Sequence, residues 1–241
     1  MKHSASLGFG KIISDVEITK DIIDSFIEGY EVNKKLIDWK PPKDIKIEIY
    51  DDENNFKKAL GKKYEKWISG FVHYNGKLII KSYNLRKNQK EKSVEINNER
   101  DYYKEYSFHE LNHTFWRYNF KTWKPKWMLE GLACYTERKK YDEKDLLASL
   151  SNKKKNYINY TGRSVNKKNI KDYYIVWEGL LFFMINKYGI EKIKLFLEQY
   201  SKRPIKENYK KLFEKYFNLT ENQFYREFIS SFKKQKKLFQ Y

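Results

Sequence analysis

Cysteine is almost missing from this 241-residue chain, Cys134 being the only one. A single thiol excludes an internal disulfide and any metal site built on several cysteines. Long apolar runs are missing too. The longest mostly apolar stretch, Ile175 to Ile185, is broken by Glu178 and falls well short of a bilayer span. The first ten residues, MKHSASLGFG, lack the apolar core of a secretory signal, so the expectation is a soluble, cytoplasmic protein with no membrane partner. Apolar and aromatic residues, in contrast, make up 40% and 18% of the chain, enough to fill a core and exclude wholesale disorder.

Acidic residues are in deficit: 32 Asp+Glu against 50 Lys+Arg leave a net charge of +18. An excess of that size favours acidic partners or nucleic acid through counterion release. The basic residues are scattered along the whole length, however, which reads as a solvated surface. No recognisable nucleic-acid module accompanies them, so that partner is disfavoured.

The spacing predicts a helix over 14–38, with Ser14 and Glu17 as a capping box and Ile18, Ile22 and Phe26 along one face. Pro41-Pro42 stops it. Alternation of Ile45, Ile47 and Ile49 predicts a strand over 45–50, followed by a helix near 53–64. Residues 71–81 read as a hairpin turning at Asn75-Gly76, and 83–96 as a polar exposed loop. From about 97 onward only helical spacing occurs, over 97–118, 126–139, 143–151, 173–188, 190–200, 206–217 and 221–236. The Lys/Asn-rich stretch 152–171 between them reads as a mobile connection. The expected class is α+β, with a mixed front half (1–118) and an all-helical back half (119–241).

Histidine is scarce, yet two of the four fall in His109-Glu110-Leu111-Asn112-His113, an H-E-x-x-H pattern that arises by chance on the order of once in 200 such chains. On a helix the two imidazoles lie one turn apart on one face and can reach one metal ion, while Phe108, Leu111, Phe115 and Tyr118 form the opposite, anchoring stripe. Glu110 stands beside the pair, placed to act on water without being a ligand. The metzincin continuation fails, because Trp116 and Asn119 occupy its glycine and third-histidine positions. Further along the chain comes Trp127-Met128-Leu129-Glu130-Gly131-Leu132-Ala133-Cys134-Tyr135, in which Glu130 is a charge in an apolar stretch. Such a carboxylate is costly to bury unless it is paired or metal-bound. His73 reads as a strand-surface residue, His3 as part of a terminus with little order, and Phe224, Phe228 and Phe232 as helical core.

With H-E-x-x-H succeeded by W-x-x-E-G-x-A-x-Y, the chain resembles the gluzincin metallopeptidases, in the aminopeptidase-N-like and "peptidase MA-like" branch. The resemblance implies a thermolysin-like catalytic domain, with a small mixed-sheet upper lobe, an all-helical lower lobe and a cleft between them. It implies zinc held by His109, His113 and Glu130, Glu110 as general base, and a peptide or protein substrate. The stretch Tyr174…Tyr188-Gly189 is similar to the family's tyrosine helix, which makes Tyr174, or the adjacent Tyr173, the donor to the oxyanion. Cys134 stands where family members often carry Asp or Ser, and no G-x-M-E-N-like segment is present, which favours endopeptidase action. By analogy with strand addition, 77–81 is the outer strand that would pair with an extended substrate. Two rival readings remain open: a basic nucleic-acid-binding protein with a vestigial or structural metal site, and a gluzincin-like fold held latent.

Overall fold

A computed structural model describes residues 1–36, 39–73, 75–88, 98–120, 123–137, 143–151, 157–158, 170–202 and 209–238. The fold is α+β, a five-stranded mixed sheet with most other described residues in helices, and the chain divides into two compact units, Met1–Asn119 and Phe120–Tyr241. Among the described residues no helix is long and apolar enough to cross a membrane.

The first unit holds the sheet, in the order β1-β2-β3-β5-β4. Strands β1 (His3–Leu7) and β2 (Gly10–Ser14) form an antiparallel hairpin, and β2 runs parallel to β3 (Ile45–Tyr50). Strand β5 (Leu78–Lys81) is parallel to β3 and antiparallel to the three-residue β4 (Gly70–Val72). The alternation in 45–50 is the reason for burial here: Ile45, Ile47 and Ile49 share one face, in register with Ile12 on one side and with Leu78 and Ile80 on the other, all nearly inaccessible. The opposite face packs Ile79 and Phe71 against Phe56 and Leu60 of α2 (Glu53–Leu60), which continues as a 3-10 turn over Gly61–Lys63. Asp52 caps α2 through its side chain.

Several expectations change. The first helix, α1, spans Lys20–Leu36 rather than 14–38. Ser14 ends β2, and its Oγ accepts from the Val16 amide, so the apparent capping box never forms. Thr19 receives the Ile22 amide at the true helix start. Ser14 instead pairs with Ile49 and the Asp15 amide donates to Ile49 O, which keeps the segment in the sheet, and the pairing of β1 with β2 orders the N-terminal residues, His3 included, as strand. The helix near 53–64 ends at Leu60. The polar stretch 83–96 begins as helix α3 (Tyr83–Asn88), started by Ser82, whose Oγ accepts from the Leu85 amide; 89–97 lies outside the described residues.

The hairpin turn at Asn75-Gly76 is present, with Gly76 at φ 79°, its amide donating to His73 O and the His73 amide to Lys77 O. Its 77–81 strand, however, is not the outer one. Strand β5 is paired on both sides, and β4 forms the sheet edge. Lys81 is fully buried: its Nζ donates to Lys66 O (2.9 Å), stands 3.5 Å from Glu53 and lies over the Phe56 ring. His73 is half-buried, with Nε2 3.3 Å from Ala59 O, rather than on the strand surface.

The 22-residue helix α4 (Glu99–Phe120) completes the first unit, which ends at Asn119 in its last turn. Asn98 caps it by accepting the Asp101 amide, and Glu99 and Asp101 complement the dipole of its first turn. Phe108, Leu111 and Phe115 are buried as the spacing requires, but Tyr118 is exposed, beneath the Lys40 ammonium.

The second unit is helical: α5 (Lys126–Thr136), α6 (Glu143–Leu150), α7 (Ile170–Tyr188), α8 (Ile190–Lys202), α9 (Tyr209–Phe217) and α10 (Glu221–Leu238). The expected helices at 126–139 and 206–217 are described only over these shorter spans, with 138–142 and 203–208 outside the described residues. Gly131 lets α5 approach the α7 backbone, since a Cβ there would stand 2.7 Å from Trp177 O. Trp127, Phe196, Phe213, Phe217 and Phe224 build an aromatic core, and Phe224, Phe228 and Phe232 are buried as expected. Most of 152–171 lies outside the described residues, but Tyr157 and Ile158 are buried, with the Tyr157 hydroxyl donating to Ser149 O and the Trp177 indole to Tyr157 O.

Candidate metal centre

Helix α4 is held in place by polar staples to α1. The Asn33 amide donates to Gly29 O (2.9 Å) and Phe108 O (3.0 Å), and Asn112 donates to Asn33 Oδ1 (2.8 Å). One turn earlier the Ser107 hydroxyl donates to Ser25 O (2.7 Å). All four side chains are buried, so these bonds fix the rotation of α4 about its axis as apolar packing alone does not.

That rotation sets His109 and His113. Their Nε2 atoms converge to 3.1 Å, with ring centroids 4.7 Å apart and planes nearly perpendicular. Two nitrogens bound to one tetrahedral zinc, each about 2.0–2.1 Å from it, stand about 3.3 Å apart. The observed separation therefore fits a shared ion with little adjustment. His113 is buried and His109 half-buried. Glu110, 6% exposed, points toward the edge strand, where its carboxylate lies against Gly70. On the turn before, burial pushes the Tyr106 phenol above its ordinary pKa, opposed by Ser69 and Arg86 and reinforced by the Glu105 and Glu110 charges.

In the second unit Glu130 is 1% exposed and lies on α5 among Leu129, Gly131 and Leu132. It pairs with Lys126 one turn earlier on the same helix. Its buried charge therefore has a cation from its own helix, and burial alone does not call for a metal. Cys134 is buried one turn beyond it. On α7, Tyr174 is half-buried, its ring edge-on to Trp177, and Tyr173 is buried against Tyr157 and Trp177.

No protein-family model matches the chain, and no curated protein matches it.

The structure adds residues that sequence reasoning passed over. The α1–α4 staples, Asn33 with Asn112 and Ser25 with Ser107, are polar residues on the buried side of amphipathic helices, a detectable departure from pattern. Gly70 carried no such signal, because the expected hairpin began at 71 and the glycine turns out to be the first residue of β4. What approaches it could not be read locally, since Glu110 is forty positions away in the chain.

Proposed function

We propose that the chain is a zinc-dependent metallopeptidase of the gluzincin type, with a thermolysin-like arrangement of its catalytic domain. The observation that carries the reading is the convergence of the His109 and His113 Nε2 atoms to 3.1 Å beside a buried Glu110 carboxylate. Two imidazoles and a non-ligand acid on one helix supply two of the three protein ligands and the base that zinc hydrolysis requires. The family resemblance supplies Glu130 as the third ligand and Tyr174 as the oxyanion donor. Zinc, when bound, supplies Lewis acidity that brings a water's pKa toward neutrality and polarises the scissile carbonyl. Glu110 accepts the water's proton at its carboxylate and returns it to the leaving amine nitrogen. The Tyr174 phenol donates to the developing oxyanion.

The test pairs metal analysis with a quenched-peptide assay. The wild-type protein should carry one zinc and cleave in a chelator-sensitive manner. Glu110→Gln should keep the zinc and lose at least the roughly 10²–10⁴ in turnover typical of acid–base catalysis. Chelator-insensitive cleavage, or a wild-type protein that takes up no zinc, would overturn the reading.

A further inference from the structure

We infer that Gly70 is a positioning residue for Glu110: its missing side chain is the space in which the Glu110 carboxylate stands. A Cβ built on Gly70 would lie 2.4 Å from Glu110 Oε1, 2.7 Å from Cδ and 2.9 Å from Cγ. All three distances are below ordinary van der Waals contact, so no residue other than glycine leaves Glu110 where it is. The glycine is not there for backbone reasons. Gly70 is not among the positive-φ residues, and it pairs with Ile80 as an ordinary member of β4. Strand geometry accounts for the direction: Gly70 and Val72 share one face of β4, while Phe71 turns to the α2 side. The α4 staples fix the helix end of Glu110, and the Gly70 backbone is the wall against which its far end rests.

The consequence for chemistry rests on the metallopeptidase reading, but the coupling between the two residues does not. A general base works only within hydrogen-bond reach of the proton it takes, and a displacement of about 1 Å can cost on the order of 100-fold in rate. Gly70→Ala meets the flexible end of a side chain rather than backbone, so the strand survives and the carboxylate moves.

The experiment is a double-mutant cycle with two readouts. The first is thermal, needs no activity, and uses Gly70→Ala in the wild-type and Glu110→Ala backgrounds. An alanine with room for its Cβ stabilises a strand position through the unfolded chain, so Gly70→Ala should raise the midpoint by about 1–4 °C once Glu110 is truncated. In the wild-type background it should leave the midpoint unchanged or lower it. Equal shifts in both backgrounds would overturn the inference. The second readout is kinetic: Gly70→Ala should retain full zinc, lower kcat at least about tenfold with KM nearly unchanged, and add nothing in a Glu110→Gln background. An additive loss there would overturn the positioning role. If the thermal coupling appears but the wild type has no chelator-sensitive activity, the peptidase reading fails and the Gly70–Glu110 coupling stands.

Discussion

Gly131→Ala reverses the sign that helix propensity gives. In the interior of a helix, alanine is favoured over glycine by about 1 kcal/mol, so α5 considered alone should gain stability. In the second unit the new Cβ would stand 2.7 Å from Trp177 O, 3.3 Å from Trp177 C and 3.2 Å from Leu181 Cβ. The nearest obstacle is α7 backbone, which cannot swing aside, and α5 must shift by roughly 0.7 Å to restore a 3.4 Å contact. Overpacking of this kind costs about 1–3 kcal/mol, which cancels the propensity gain at its low end and leaves a net loss of about 2 kcal/mol at its high end. Gly179→Ala on α7 is the control, because its nearest atoms are side-chain ends rather than backbone, the Leu146 methyls at 3.0 and 3.3 Å and Phe228 Cζ at 3.3 Å. Urea denaturation of the two variants beside wild type decides it. Gly131→Ala should have a midpoint below that of Gly179→Ala, which keeps the propensity gain. A Gly131→Ala protein as stable as the Gly179→Ala protein would refute the argument that the α5–α7 approach requires glycine. Because Glu130 precedes Gly131, the same shift should also disturb whatever Glu130 binds.

Glu48 is buried, which by itself raises a carboxyl pKa, but hydrogen bonds from Lys46, Lys77 and Tyr50 hold it below its ordinary 4.5. A depressed carboxyl contributes stability above its unfolded pKa and loses it as pH falls through the folded value. Glu48→Gln should therefore cost about 1–2 kcal/mol at pH 7 and flatten the stability profile below about pH 4.5; an unchanged acid limb would exclude this role. Asn33→Leu removes the bonds to Phe108 O and Asn112 and leaves a buried amide unmatched, so a loss of about 2–4 kcal/mol is expected by chemical denaturation. Glu130→Gln should weaken zinc binding beyond the roughly 10–100-fold typical of losing an outer hydrogen-bond partner, whereas Glu137→Gln should not. A Glu130→Gln protein with unchanged zinc affinity but reduced stability would make Lys126 the partner that matters.

Period and punctuation alone located β3, the hairpin turn at Gly76 and the seven helices from α4 onward, because those signals depend on near neighbours along the chain. They also put His109 and His113 on one helical face, since residues four apart on a helix face the same way whatever surrounds them. Tertiary structure decided the rest. Ser14 and Glu17 form a capping box on paper, yet the pairing of Ser14 with Ile49 claims the segment for the sheet, and pairing in a sheet outweighs one cap. Which hairpin strand is the edge depends on β3 choosing β5 as its neighbour, a pairing between segments some thirty residues apart that no local pattern encodes. The helix pattern of α4 specifies that His109 and His113 point together. That their Nε2 atoms stand 3.1 Å apart, and that Glu110 ends against Gly70, comes from the side-chain and sheet packing around them. Local chemistry chose the residue types; the distances between them are set where separate segments of the chain meet.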